Sequence, residues 1–165
     1  MTFSKSGGVL TPTRFETGRP MLLGGLRRHH DFADAAEGIV RQWREFLAGA
    51  ELPGRIGTSF YGVMCGADAT GIEYMCGVEV ESLADLPEGI GRMRMPAQQY
   101  AVFAHHGPAR ALQSTWQGIL AWLEQGEYMS AHQPDFELYG PGVEPLAASD
   151  GIEVWIGVVP RGDLK

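Results

Sequence analysis

The chain has 165 residues, of which 44% are hydrophobic and 20% charged, which is typical of a globular protein with one core or two fused cores. Its net charge of -7 argues against the basic surface of a nucleic-acid-binding protein, and the cations within residues 1–30 are interpreted as a solvated start. No apolar run approaches the ~20 residues that span a bilayer. A signal peptide is absent and only two cysteines occur, so we expect a cytoplasmic protein without a membrane segment.

The first half of the chain predicts a strand, a helix and two further strands after an N-terminal arm. The arm, residues 1–18, is rich in Gly, Ser and Thr. Apolar residues recur at helical spacing from Ala36 to Leu47, and Gly49 is a plausible helix end. Residues 83–96 contain two prolines and two glycines and are interpreted as a connector. Strand patterns lie at residues 13–16, 21–23, 58–65 and 72–80.

The second half repeats this order. Pro108 precedes an apolar stripe of helical spacing from Leu112 to Leu123, and Gly126 ends the predicted helix. Strand patterns lie at residues 100–104, 136–139 and 152–159. The second half therefore has the same order of elements as the first half: one strand, one helix and two further strands.

Shared residues at a constant spacing support a repeat. Gly71-Ile72-Glu73 recurs 80 residues later as Gly151-Ile152-Glu153, and Gly38-Ile39 recurs at the same distance as Gly118-Ile119. We interpret this as a tandem duplication of a βαββ unit, with chance similarity of two α+β halves as the alternative. The predicted halves are residues 19–82 and 97–160 of a single domain, 19–160. The predicted fold is α+β with pseudo-twofold symmetry, antiparallel sheets, helices on one face and a ligand cleft on the other.

Strand alternation predicts which side chains line this cleft. Glu137 and Tyr139 share one face of their strand, and Trp155 lies on the face of the last strand that its apolar residues leave free. The duplication makes Met75 the counterpart of Trp155 and Tyr61 that of Tyr139. We therefore expect four walls around the carboxylate of Glu137, in a cleft between the two halves. The predicted walls are Tyr61, Met75, Tyr139 and Trp155.

Several segments together resemble a known family. They are Tyr100-Ala101-Val102-Phe103, His106-Gly107, Ile119, Trp122-Leu123, Phe136-Glu137-Leu138-Tyr139 and Ile156-Gly157-Val158-Val159-Pro160. Their order and spacing over about residues 20–160 resemble the GyrI-like domain, the effector-binding domain of AraC-type and MerR-type multidrug regulators. The resemblance implies two βαββ (SHS2-like) units related by a pseudo-twofold axis, with a ligand cleft between them.

The resemblance implies a role for one carboxylate above all. The acidic residue of the family's penultimate strand, which matches Glu137, faces the cleft and pairs with cationic, aromatic, lipophilic compounds. A cation buried without a countercharge costs several kcal/mol. Aromatic faces add cation–π attraction of about 0.5–2 kcal/mol each, and Trp155 and Tyr139 are expected to supply it. The ligand-binding residues expected are therefore Glu137, Trp155, Tyr139, Tyr61 and Met75.

Three classes of function stay open at this point. Full-length regulators carry a DNA-binding segment before the effector domain, and only about twenty residues precede it here, so we expect a stand-alone binding module without direct nucleic-acid contact. Some stand-alone members resemble hydrolases of cyclopropane-bearing genotoxic natural products, in which Glu137 would act as the base and Tyr61 would donate a hydrogen bond. Tyr74 alternates with core positions and is expected to pack inside. A protein-interaction role like gyrase inhibition, with a protein partner, is the third class.

Metal and cofactor chemistry are not expected. The five histidines include two pairs of sequence neighbours, whose side chains point apart on a strand, so they do not suggest a metal site. There is no phosphate-binding glycine loop, no serine nucleophile elbow and no paired-cysteine spacing. We expect no cofactor and no metal, and the sequence leaves the oligomeric state open.

Overall fold

The computed structural model describes residues 10–163 of the chain. Within that part lie nine strands and two α-helices. They are β1 (Arg14–Gly18), β2 (Met21–Asp31), α1 (Ala35–Ala48), β3 (Phe60–Ala67), β4 (Gly71–Glu79), β5 (Gly91–Met95), β6 (Gln98–His105), α2 (Leu112–Gln125), β7 (Tyr128–Ser130), β8 (Asp135–Tyr139) and β9 (Ile152–Pro160). Every strand pairing is antiparallel, in the order β1-β6-β9-β8-β3-β4-β2-β5, and β7 pairs with the end of β9. The protein is therefore α+β, as the sequence predicts.

Both helices lie on the same face of this sheet. α1 packs over β2 and β4 through Trp43, which is buried, and α2 packs over β6 and β7 with Ile119 at its centre. Gly49 and Gly126 follow the last helical residues at the predicted positions. Within residues 10–163, neither α-helix is long and apolar enough to cross a membrane.

The strand order reads alike from both ends of the sheet. β2, α1, β3 and β4 form one strand–helix–strand–strand group, and β6, α2, β8 and β9 form the other. β3 and β8 pair at the centre, while β5 and β1 extend the two ends. The duplication stays a prediction, and this order is the observation that supports it.

The sheet is strongly curved. β1 and β2 are six strand spacings apart in the sheet order, which is ~29 Å in a flat sheet. Only Arg19 and Pro20 join them, so the Cα atoms of Gly18 and Met21 lie at most ~11 Å apart. The two ends of the sheet therefore approach each other, and the sheet has a concave face and a convex face.

Each face has its own apolar core. The helix-side core, between the convex face and the helices, includes Trp43, Tyr74, Cys76, Phe103, Ile119, Tyr139, Ile152 and Val154. The concave core contains Leu23, Tyr61, Val63, Met75, Met95, Tyr100, Val102 and Phe136. Curvature explains the second core: residues on β2 and β5 reach across to residues on β6 without a helix to cover them.

Three segments differ from the sequence prediction. Residues 14–18 form β1, which extends two residues beyond the strand pattern at 13–16 and pairs along β6; residues 1–9 of the predicted arm lie outside the described residues. The predicted connector 83–96 contains β5, an edge strand on β2. β2 also runs eight residues beyond the predicted 21–23, because Arg27 to His30 pair with β4 although they are polar. Edge and end strands expose one or both faces, so hydrophobic patterning under-reports them.

Candidate functional site

The five predicted site residues fall on two opposite faces of the sheet. Glu137 pairs directly with Val154, and Tyr139 with Ile152, so both side chains belong to the helix side. Trp155 pairs with Phe136 and lies on the concave side, as do Tyr61 and Met75. The expectation that Glu137 and Tyr139 share a face with Trp155 is therefore wrong. Alternation within each strand is as expected. However, the register between β8 and β9 places Glu137 opposite Val154 and Phe136 opposite Trp155, so Glu137 and Trp155 lie on opposite faces.

The carboxylate of Glu137 is the centre of a buried polar cluster, the Glu137 cluster, formed by Trp43, Tyr74, Trp116, Glu137 and Tyr139. Its Oε1 accepts hydrogen bonds from the hydroxyls of Tyr74 at 2.9 Å and Tyr139 at 3.1 Å. Its Oε2 accepts one from the indole Nε1 of Trp116 at 3.2 Å. Trp43 donates in turn to the Tyr74 hydroxyl at 3.1 Å. Both helices are thus connected to one strand carboxylate.

No cationic side chain in the described part of the chain, residues 10–163, pairs with this carboxylate. Glu137 is only 6% exposed, and all its hydrogen-bond partners among residues 10–163 are neutral donors. Burial raises the pKa of Glu137, although the three hydrogen bonds oppose the shift. Burial also raises the pKa of Tyr74 and Tyr139, and the neighbouring carboxylate adds to it, so both phenols stay neutral donors. The cluster therefore places a carboxyl group in an apolar region with no cationic partner among residues 10–163.

A glycine makes room for the cluster on the neighbouring strand. Gly62 on β3 lies directly opposite Glu137. A Cβ atom there would lie 2.1 Å from the Tyr74 hydroxyl and 2.7 Å from Oε1 of Glu137. Any other residue at position 62 would therefore push apart the hydroxyl and the carboxylate.

Sequence reasoning missed three members of this cluster. Tyr74 was expected to be a core residue, and it does pack in the helix-side core, but it is also the donor closest to Glu137. Trp43 and Trp116 were expected only to fill the core. A partial signal for them exists in the sequence: the apolar stripes contain Trp43 in α1 and Trp116 and Trp122 in α2, and an indole that packs against the sheet needs an acceptor.

The concave face holds a cleft of about 290 Å³ near the β1–β2 connection, here called the concave cleft. Trp155 and Tyr61 line it, and their role in binding a ligand stays a prediction. Met75 does not line it and is fully buried in the concave core, so its predicted role as a wall is wrong. The cleft is lined by Thr17, Gly18, Arg19, Met21, Tyr61, Tyr100, Phe136, Leu138 and Trp155.

Tyr61 and Tyr139 are not structural counterparts. Tyr61 is in the concave core and Tyr139 in the helix-side core. A twofold axis perpendicular to the sheet would leave each residue on its own face, so the 78-residue spacing that relates them does not follow such an axis.

For metal binding, no group of three His, Cys, Asp or Glu side chains between residues 10 and 163 is suitably arranged.

Residues 11–159 match the family described as the GyrI-like small molecule binding domain. The chain belongs to this GyrI-like family. Its membership agrees with the resemblance seen in the sequence.

Two kinds of relative are similar to the chain. The transcriptional regulator BrlR of Pseudomonas aeruginosa is 34% identical over 102 residues, which are 59% of the chain and 37% of the regulator, so the chain spans little more than a third of that protein. The structure of SAV2435 bound to tetraphenylphosphonium has a TM-score of 0.70 at 18% identity, covering 88% of this chain and 93% of that one. The EcmrR C-terminal domain has a TM-score of 0.65 at 16% identity, covering 89% and 96%.

Proposed function

We propose that this protein binds lipophilic, aromatic cations at the Glu137 cluster. The observation that carries the proposal is the buried carboxylate with three neutral donors and no cationic partner among residues 10–163. A buried charge is normally paired, and an unpaired one destabilises the protein. A bound cation would supply the missing charge, and the free energy gained would favour the bound state.

The surroundings of Glu137 suit an aromatic ligand. Trp43, Tyr74, Trp116 and Tyr139 offer ring faces and edges for apolar contact and cation–π attraction. Access is expected beside α2, because the Trp116 ring is only partly buried and is held by the longest of the three hydrogen bonds. Moving this ring aside would uncover Oε2. The solved complex of the similar protein SAV2435 with tetraphenylphosphonium supports a site for such a cation in this fold.

The same geometry favours binding over base catalysis. A carboxylate that already accepts three hydrogen bonds has few lone pairs left for a proton, and each bond stabilises its charged form. A general base also needs direct contact with the proton that it removes. Both tyrosines and Trp116 occupy those positions. Ligand binding is therefore the function that these contacts support better than hydrolysis.

The test is calorimetric titration with tetraphenylphosphonium of the wild type and of Glu137→Gln. We expect the substitution to weaken binding about tenfold or more, because the amide keeps the shape but removes the charge. The matched control is Glu153→Gln, which removes a carboxylate paired with Arg14 on the other face and should leave the affinity unchanged. Wild-type affinity should also increase as the pH rises through the elevated pKa of Glu137.

Equal loss in both variants would mean that net charge rather than the cluster attracts the cation. Unchanged affinity in Glu137→Gln would contradict the proposal outright. Unfolding of each variant in urea, measured in parallel, would show whether a change in affinity reflects a loss of structure.

A further inference from the structure

The concave cleft has a rigid aromatic floor. The rings of Phe136 and Trp155 stack with centroids 5.4 Å apart and an interplanar angle of 20°. Tyr100 meets both of them edge-on at 5.4 Å, and Tyr61 meets Phe136 edge-on at 5.5 Å. Tyr100 and Phe136 are each only 2% exposed, so packing holds these rings in place before any ligand arrives. Such a preformed surface binds flat rings at a low entropic cost.

The β1–β2 connection covers one side of this floor. Residues 17–19 and Met21 line the cleft from that side. Arg19 is fixed by two hydrogen bonds to the carboxylate of Glu79, at 2.6 and 2.9 Å. Gly18 lies directly against Tyr100, since a Cβ atom there would be 2.3 Å from its ring. The resulting volume of about 290 Å³ is at the small end of ligand pockets and suits a compound of two or three fused rings.

The charges around the cleft are already paired. Arg19 binds Glu79, and Arg14 binds Glu153, which also accepts the indole N–H of Trp155 at 3.0 Å. The guanidinium of Arg14 lies over the Trp155 ring, 5.6 Å from its centroid. A cationic ligand would meet no free carboxylate here and would compete with Arg14. An uncharged ligand would keep both ion pairs intact.

The cleft also offers a hydrogen-bond donor, the hydroxyl of Tyr61. Tyr61 lines the cleft with 8% of its surface exposed, and among residues 10–163 its hydroxyl has no hydrogen-bond partner, although it is not one of the fully buried polar atoms. Burial and the carboxylate of Glu79 raise the pKa of Tyr61, so the hydroxyl is a neutral donor. A hydroxyl at the wall of the cleft can donate to a carbonyl oxygen on a ligand in place of solvent.

Leu10, ahead of β1, lies on the helix side of the sheet and not at the cleft. The backbone N–H of Leu10 donates to the carbonyl of Gly118 on α2, and Leu10 packs on the helix-side core. The cleft lies at the opposite end of β1, beside Gly18. The strand β8 separates it from the other site, because Glu137 points to the helices and its neighbour Leu138 lines the cleft.

We propose that the concave cleft is a second small-molecule site, separate from the Glu137 cluster, for planar uncharged aromatic compounds that carry a carbonyl acceptor. The stacked pair Phe136–Trp155 would hold the ring system. The Tyr61 hydroxyl would donate to the carbonyl oxygen. The two sites share a strand but recognise opposite chemistries, one a cation and the other a neutral ring.

The probe for the test is coumarin, a two-ring compound with a carbonyl, titrated into the wild type while the tryptophan indole N–H signals are followed by NMR. We expect the Trp155 signal to shift and the Trp116 signal to stay. Tyr61→Phe should weaken coumarin binding about three- to tenfold, since it removes one hydrogen bond and no ring. Glu137→Gln should leave coumarin affinity unchanged, and Tyr61→Phe should leave tetraphenylphosphonium affinity unchanged.

Leu138→Trp provides a second variant, because a larger side chain at the cleft wall should abolish coumarin binding in a protein that stays folded by circular dichroism. Absence of any coumarin shift at millimolar concentration would overturn the proposal. A shift of Trp116 instead of Trp155 would also overturn it, by placing the compound in the Glu137 cluster. Equal affinity in the wild type and Leu138→Trp would do the same.

Discussion

At the scale of single residues, the determining feature is the carboxylate of Glu137 buried in an otherwise apolar core. Its three donors come from β4, β8 and α2, so elements distant in the chain converge on two oxygen atoms. The arrangement needs the absence of a side chain at Gly62. The Glu137 carboxylate on β8 and Gly62 on β3 therefore depend on each other.

Gly62→Ala tests this unit. We expect a loss of about 1–3 kcal/mol in the free energy of unfolding, because the added methyl overlaps the Tyr74 hydroxyl and Oε1 of Glu137. Urea denaturation followed by tryptophan fluorescence measures it. Gly140→Ala is the control, since a Cβ atom there would have no neighbour within 4 Å.

Adding Tyr74→Phe to Gly62→Ala removes the atom that clashes most. The double variant should therefore lose less than the sum of the two single losses, a coupling that a double-mutant cycle quantifies. Strict additivity would show that the methyl is accommodated elsewhere.

At the scale of elements, β8 and β9 are joined beyond their last ladder pair by a side chain. Oδ1 of Asp135, the first residue of β8, accepts the backbone N–H of Gly157 on β9 at 2.9 Å. Burial raises the pKa of Asp135 from 3.8 to about 7, against the opposing effect of that hydrogen bond. The Asp135 carboxyl group therefore extends the pairing of β8 with β9, and ionising it in the folded protein is unfavourable.

Asp135 should make the protein less stable as the pH rises. In the folded state the group keeps its proton up to about pH 7, while in the unfolded chain it loses it near pH 3.8, so the folded state binds more protons between these values. Stability contributed by the protonated group is full below pH 3.8 and declines through about pH 7, by about 1–4 kcal/mol. Unfolding free energies of the wild type from pH 4 to 8 measure the decline.

Asp135→Asn supplies the comparison, because the amide oxygen can still accept the Gly157 N–H but does not ionise. The decline should be smaller in this variant, and the variant should be more stable than the wild type at pH 8. Glu137 titrates with a raised pKa in both proteins and cancels in the difference. Parallel pH profiles of the two proteins would contradict the expectation.

At the scale of the whole molecule, the curvature of the sheet separates the helix side, with the Glu137 cluster, from the concave cleft. The β1–β2 connection draws the ends of the sheet together, and the ion pair of Arg19 with Glu79 secures it. The carboxylate side chain is 8% exposed and the guanidinium 65% exposed, so the two partners have unequal roles. Removing Arg19 alone would leave the buried carboxylate of Glu79 without this partner, whereas removing the charges of Arg19 and Glu79 together would not.

Arg19→Met should therefore lower the free energy of unfolding by about 1–3 kcal/mol, while Arg19→Met with Glu79→Gln should lower it less. Thermal or urea unfolding of both proteins at pH 7 measures the difference. Arg28→Met is the matched control, since its partner Glu45 is 61% exposed and such surface pairs contribute about 0–1 kcal/mol. If the double variant loses as much stability as the two single substitutions together, the ion pair of Arg19 with Glu79 does not secure the β1–β2 connection.

The periodicity of the chain predicted most of the elements, but it did not predict how their faces combine. Tyr139 and Trp155 each have the face that alternation within their own strands assigns. Their relation depends on the register between β8 and β9, and this register is a property of the folded sheet. Trp116 illustrates the same limit, because helical spacing buries it without indicating which acceptor its indole will reach.

The sequence by itself determined the α+β class and the two helices with their glycine ends, because apolar periodicity and glycine positions are local properties. Only the tertiary structure decided that Glu137 lies beneath the helices and Trp155 lies on the opposite, concave face. It also decided that Tyr74 and not Tyr61 reaches the carboxylate. The physical reason is that strand register, sheet curvature and hydrogen bonds between distant residues arise from packing of the whole chain, which no local pattern encodes.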